Sequence, residues 1–268
     1  MVELREGTLE KLRKCKIFIL DIDGTFYVSK QVFPESWKFV KKMDEQGKKI
    51  IFYTNNSNLT IDNYIKEFKS FGYSLGKDEI YTAGVLAAEF LFNKYGSMRL
   101  FIVGTSDIIS EFRKAGHVID DRDPEAVICT FDKELTYWKI ARACQLVGKG
   151  KKFIITNPNL TCPNTNGLIP DTASIASVIT SVVGRKPDYV FGKPNPDSVK
   201  YILEKIGVKP EESCVVGDTL TTDILLGINS SILSILVLTG ECGFEDVRKS
   251  GIVPDIVAKD LGEVADYM

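Results

Sequence analysis

The sequence predicts an α/β fold, a doubly wound parallel sheet interrupted by a smaller inserted α/β domain. Three observations predict it. Apolar runs of strand length alternate with helix-length segments along the 268 residues. The alternation restarts near Thr82 and the first pattern resumes after Gly184-Arg185-Lys186-Pro187. Carboxylates directly follow two apolar runs about 200 residues apart, as they would at the carboxyl ends of strands sharing one crevice.

Each element has its own signal. Lys16–Leu20 reads as a buried strand ending at Asp21, Glu35–Gln46 as a helix stopped by Gly47, and Lys49–Tyr53 as a strand ending at Thr54. Thr60 is placed to cap a helix running to Phe71, with Gly72 just beyond its end. The inserted set follows: helix Ala83–Tyr95, strand Arg99–Val103, helix Ser106–Ala115, strand Ala126–Cys129, helix Thr136–Val147 and strand Lys152–Thr156. Asn157–Asp171 is rich in Asn, Pro, Thr and Gly and reads as a long loop; its role is either substrate contact or plain connection. Helix Ala173–Val182 closes the set. Pro196 then fits the first position of a helix ending at Gly207, and Ser213–Val216 and Ile232–Val237 read as strands. The expected architecture is a Rossmann-like core, residues 1–81 and 187–268, with an insertion at 82–186.

Composition excludes several classes. The chain is 44% hydrophobic and 26% charged with a net charge of −2, so nothing in the total favours nucleic acid. The pairs Lys41-Lys42, Lys48-Lys49 and Lys151-Lys152 read as solvated ends of elements. No apolar run approaches the roughly 20 residues of a membrane span. Met1–Lys16 is charged and lacks an apolar signal run, so the expected location is cytoplasmic. The six cysteines form no C-x-x-C pair, and most read as small core residues. His117 is the single histidine and reads as a turn or strand-start residue, so acid–base chemistry falls mainly to carboxylates, lysine or tyrosine.

The two carboxylate segments are Asp21-Ile22-Asp23-Gly24-Thr25 and Gly217-Asp218 with Asp223 following after four intervening residues. Crowding like charges forces either a bound proton or a neutralising cation. A hard divalent cation such as Mg²⁺ suits oxygen ligands of this kind. With it, Asp21 can stay ionised as a nucleophile, while Asp23 serves as general acid and then base. Gly24 lets the chain turn away from the strand. Thr54-Asn55-Asn56-Ser57 follows another strand and offers a hydroxyl and backbone N–H groups to phosphate, although an ordinary Asn-rich turn has the same composition. Lys193, in Gly192-Lys193-Pro194, supplies a mobile charge suited to phosphate, although many surface lysines look alike. Pro187 and Pro194 rule out a P-loop, and no G-x-G-x-x-G occurs.

Together these four segments resemble the motifs of the haloacid dehalogenase superfamily of phosphotransferases: D-I-D-G-T the first, T-N-N the second, G-K-P the third and G-D-(x)4-D the fourth. The long insertion resembles its C2-type cap. Thr156-Asn157, Gly184-Arg185-Lys186-Pro187, Gly192-Lys193-Pro194-x-Pro196 and Thr222-Asp223-Ile224 resemble the NagD-like, 4-nitrophenylphosphatase branch.

The resemblance implies that Asp21 attacks phosphorus and forms an aspartyl phosphate. It implies that Asp23 protonates the leaving oxygen and then activates water. Mg²⁺ would be held by Asp21, the backbone carbonyl of Asp23, and Asp218, with Asp223 orienting a metal-bound water. Thr54, Asn55 and Lys193 would bind the transferring phosphoryl group. The implied partner is a small phosphorylated metabolite, with no nucleic acid and no membrane, in a monomer or a cap-mediated homodimer. The sequence departs from the branch at Thr219, Asn159, Asp171 and Ser230-Ser231. Of these, 159 and 171 fall in the cap and bear on substrate identity. Phe26-Tyr27 is read either as lining the entrance or as aromatic packing against the cap. Phosphate transfer to a second hydroxyl, as in a phosphotransferase or mutase, uses the same nucleophile. A small-molecule sensor has no need of the Asp21–Asp23 pair.

Overall fold

The computed structural model describes residues 7–57, 59–164 and 166–268, with the side chains of Pro163 and Asn164 left aside. The first six residues of the charged N-terminal segment, and Thr165 of the predicted loop, lie outside the described residues. The chain divides into two compact units: residues 1–54, 69–81 and 193–268, and residues 55–68 and 82–192.

The first unit is built on a six-stranded sheet. Its order is Ile256–Ala258, Leu233–Val237, Ser213–Gly217, Ile17–Leu20, Lys49–Thr54 and Ile80–Thr82. Ile17–Leu20 pairs in parallel with both Ser213–Gly217 and Lys49–Thr54, with Leu20 opposite Val216 and Phe52. Counted along the chain, the strand order is 3-2-1-4-5-6. That order reverses between the first and fourth strands, which is where open α/β sheets form their ligand crevice. The central strands Ile17–Leu20, Ser213–Gly217 and Leu233–Val237 are buried at every position. Continuous burial without alternation is what a parallel sheet covered on both faces requires.

Helix Pro34–Glu45 starts on a proline and buries Ser36, Phe39 and Met43. Phe39 meets the edge of Phe18 at 5.5 Å between centroids. Phe26 is fully buried and packs edge-on against Phe52 at 5.0 Å, with Trp37 and Tyr73 beside it. Tyr27 packs on Phe71. These contacts place the pair in the core of the first unit, which differs from both expected readings, since all four aromatic partners belong to that unit. A buried ring of this size contributes about 2–3 kcal/mol of apolar burial.

The second unit has its own five-stranded parallel sheet, ordered Tyr189–Val190, Lys152–Ile155, Ala126–Cys129, Arg99–Val103 and Val118–Ile119. Side chains alternate between its faces. Leu100, Ile102, Ala126, Ile128 and Ile154 join Ala87, Leu91, Ile108 and Phe112 from helices Ala83–Tyr95 and Ser106–Lys114. Phe101, Val103, Val127, Phe153 and Ile155 join Ala143, Leu146, Ile175 and Ile179 from helices Tyr137–Gly148 and Thr172–Val183. Tyr189 and Val190, just past the expected boundary at 186, pair with Ile154 and Ile155 here. Thr60 caps its helix as expected, accepting from the Asn63 N–H at 3.1 Å.

One reading changes, and one gains detail. Asn157–Asp171 is not an open loop: Thr161–Asn164 and Gly167–Pro170 form an antiparallel hairpin, with Asn164 opposite Gly167. Two prolines and polar composition hid strands whose pairing is local; Asn166-Gly167 was the available turn signal. His117 stands immediately before strand Val118–Ile119, as expected, and is buried there, accepting from the Met98 N–H at 3.2 Å while Nε2 faces the Ala88 carbonyl at 2.9 Å.

Candidate active site

Asp21 is the first residue past the central strand, and its N–H still donates to Val216 O at 2.9 Å. Asp218 occupies the same place after the neighbouring strand Ser213–Gly217. Asp223 follows on a single π-type turn, Leu220–Ile224, in which the Ile224 N–H reaches back to Thr219 O. Such turns displace one side chain from the helical register and are frequent at functional sites. One carboxylate oxygen from each of Asp21, Asp218 and Asp223 lies within 4.8 Å of the others.

Lys193 enters this cluster from the segment preceding helix Pro196–Ile206. Its ammonium bonds an Asp21 oxygen, Asp223 Oδ1 at 2.7 Å and the Tyr53 carbonyl at 3.1 Å. Lys193 is 3% exposed, Asp223 1% and Asp218 2%, so none of these charges is shared with bulk water.

The remaining contacts come from backbone and small residues. Asp218 Oδ1 accepts from the Thr25 hydroxyl at 3.2 Å, and Oδ2 from the Glu241 N–H at 2.8 Å. Asp223 Oδ2 accepts weakly from the Thr219 N–H at 3.3 Å. Gly24 holds φ at +83°, and a Cβ there would stand 2.6 Å from Asp218 Oδ2. Glycine is thus needed both for the turn and for the approach of Asp218.

The electrostatics follow from three carboxylates facing one ammonium. Burial pushes the Asp21 carboxyl well above the usual range; Asp223 and Asp218 push the same way, while Lys193 opposes them. Burial, then Asp223, raises Asp218 to about 6. Burial works to lower Lys193, but Asp21 and Asp223 outweigh it and hold the ammonium charged. A proton or a further cation is what this donor set lacks. The hard oxygen donors of this cluster suit a divalent cation such as Mg²⁺.

The expected residues do not all converge. Asp21, Asp218, Asp223 and Lys193 come together. Asp23 has an exposed side chain outside that cluster, its backbone bridged to Tyr27. Thr54 is buried at the end of Lys49–Thr54, two residues past the Phe52 that pairs with Leu20. Asn55 belongs to the second unit, where its Nδ2 donates to Asn159 Oδ1 at 2.8 Å. Sequence reading gave no role to Thr25, Glu241 or Tyr53. Thr25 stood inside the quoted D-x-D-G-T segment; the other two contribute backbone atoms, which no residue type announces.

Comparison with known proteins agrees with this geometry. The haloacid dehalogenase-like hydrolase family matches residues 18–118, and a HAD-hydrolase-like family matches residues 190–264. A 4-nitrophenylphosphatase structure from Thermotoga maritima is 43% identical, with a TM-score of 0.93 over 96% of this chain and 98% of that one. The acid sugar phosphatase of Staphylococcus aureus is 30% identical over 253 residues, 94% of this chain and 97% of that protein. The dihydroxyacetone phosphatase of Corynebacterium glutamicum is 28% identical over 249 residues, 93% and 90% of the two chains. A buried cluster of three carboxylates around one lysine at the switch point of the sheet, found in a chain with these relatives, places the protein: it belongs to the haloacid dehalogenase-like hydrolases, as a phosphoric monoester hydrolase of the NagD and 4-nitrophenylphosphatase type.

Proposed function

We propose that the chain hydrolyses small phosphate monoesters, such as sugar phosphates, nucleotides and 4-nitrophenyl phosphate, through an aspartyl phosphate on Asp21. The observation that carries this reading is the buried Asp21–Lys193–Asp223 pairing beside Asp218. Lys193 holds one oxygen of Asp21 and opposes the burial that raises its carboxyl, and a bound divalent cation would supply the rest of the charge that keeps it ionised. The other electron-rich oxygen attacks phosphorus, and the ester P–O bond breaks. Asp23, outside the lysine-bound cluster, gives its proton to the leaving alkoxide. It then takes a proton from the water that attacks the acyl phosphate, releasing phosphate and restoring Asp21. Thr54, Asn55 and Lys193 are assigned to the phosphoryl oxygens.

Asp21, Asp218 and the backbone carbonyl of Asp23 are assigned as the ligands of Mg²⁺, and Asp223 as the residue that orients a metal-bound water. When bound, the ion neutralises the clustered carboxylates and the transferring phosphoryl group. Residues 82–186 are assigned as a cap that selects the leaving group, in a monomer or a cap-mediated homodimer.

The test is Asp21→Asn with 4-nitrophenyl phosphate and Mg²⁺. Release of 4-nitrophenol should fall by at least ~10³-fold; turnover close to that of the parent enzyme would refute the nucleophile. A phosphotransferase or mutase would use the same Asp21. Labelled phosphate appearing on an added sugar hydroxyl, instead of as free phosphate, would favour it.

A further inference from the structure

The second unit holds Asn55 by a hydrogen-bonded chain that lies outside the reaction scheme. Asn55 Nδ2 donates to Asn159 Oδ1 at 2.8 Å. The Asn159 N–H donates to Asn157 Oδ1 at 2.9 Å. Asn157 Nδ2 donates at 3.0 Å to the Asn55 carbonyl and, at the same distance, to the Thr172 hydroxyl. That hydroxyl donates to Asp171 Oδ1 at 2.9 Å. The chain through Thr172 therefore ends on a carboxylate, a group that only accepts.

The arrangement admits one orientation. Asn157 is fully buried and both of its N–H donors, and its oxygen, are spoken for. Flipping its amide would set oxygen against the Asn55 carbonyl oxygen. Gly192, at φ +75°, closes the other side: a Cβ there would stand 2.8 Å from Asn55 Oδ1. The Asn55 amide is thus held at its nitrogen by Asn159 and flanked at its oxygen by backbone, while its carbonyl is held by Asn157. A buried polar network satisfied at each of these points fixes geometry more strongly than its separate bonds would.

We propose that Asn157 and Asn159 are positioning residues that fix the amide plane and backbone of Asn55 for phosphate binding. This rests on the reading above that Asn55 binds the phosphoryl group. The segment that carries the hairpin then sets the affinity for the phosphate end of every substrate. Asp171 and Thr172, at the start of helix Thr172–Val183, anchor the chain to a rigid element. The 159 and 171 departures from the branch pattern are both members of it.

The test compares Asn159→Ala, Asn159→Asp and Asn55→Ala, singly and, for the two alanines, together. 4-Nitrophenyl phosphate is the substrate and inorganic phosphate the competitive inhibitor. A residue that orients a phosphate binder contributes to ground and transition state alike, so KM and the phosphate inhibition constant should rise in parallel while kcat changes little. Loss of one neutral hydrogen bond predicts a rise of about tenfold for Asn159→Ala. Asn159→Asp keeps an acceptor oxygen and should stay within about threefold of the parent. The double variant should be no weaker than Asn55→Ala alone, because both changes remove one effect.

Thermal unfolding of each variant separates these results from loss of folding. The proposal is overturned if Asn55→Ala raises both constants but Asn159→Ala does not, or if the two changes multiply. If Asn55→Ala itself leaves both constants unchanged, the phosphate-binding reading of Asn55 fails, and the proposal with it.

Discussion

The ammonium of Lys193 stands 2.7 Å from Asp223 Oδ1, with both side chains buried and 30 residues apart in sequence. The same ammonium holds Asp21, so a single lysine serves two carboxylates that would otherwise repel. Lys193→Met should leave them uncompensated, and breaking a buried pair from one side costs about 3–5 kcal/mol. Thermal unfolding should show that loss, and phosphatase activity should vanish. Lys193→Arg should not restore activity, because the planar guanidinium cannot take the place of a compact ammonium between Asp21, Asp223 and the Tyr53 carbonyl.

Gly240 makes room for Asp218. A Cβ at 240 would overlap the Asp218 carboxylate, whose Oδ2 accepts from the next residue's N–H at 2.8 Å. Gly240→Ala should therefore displace Asp218 at a stability cost of about 1–3 kcal/mol, the usual range for overpacking. Mg²⁺ titration of the activity should show half-saturation raised roughly tenfold or more, the size expected when a ligand's support is lost.

Stability should depend on pH and Mg²⁺ together. Asp218 is raised from 3.8 to about 6, so the folded state binds its proton more tightly than the unfolded chain does. Its contribution is full below about pH 4 and is lost as pH rises from about 4 to 6. The difference between the folded and unfolded chain corresponds to at most about 3 kcal/mol. A divalent cation replaces the proton above that window. Differential scanning fluorimetry should therefore show a larger Mg²⁺-induced rise in Tm near about pH 7.5 than near about pH 5. An equal rise at both would count against cation binding at these carboxylates.

Asp23→Asn separates the two half-reactions. 4-Nitrophenolate leaves without needing a proton, so phosphorylation of Asp21 should survive while hydrolysis of the aspartyl phosphate slows by about 10²–10⁴-fold. Stopped-flow mixing should show a burst of nitrophenol followed by a slow steady state. For an alkyl phosphate the burst should disappear, because its alkoxide does need the proton.

How much of this was legible follows residue by residue. Asp21 and Asp218 were readable because each follows an apolar run, and a parallel sheet delivers the ends of adjacent strands to one edge. The doubly wound core and the helices of the second unit were readable for the same reason, since their periodicity reflects burial. The hairpin between Thr161 and Pro170 was not, because Pro163 and Pro170 mask strands held by backbone pairing. Tyr53 and Glu241 were invisible because they act through main-chain atoms common to every residue.

The order of residues along the chain was enough to say which types stand at the ends of which strands, and with them the family and the class of chemistry. The motif resemblance gave Asp23 and Asp223 different roles, but their residue type, with the same charge and the same donor set, could not say how differently the two would be solvated. Folding separated them, exposing one and burying the other against Lys193. The physical reason is that a carboxylate's role depends on its solvation and its neighbours, and those are set by segments far away in the chain.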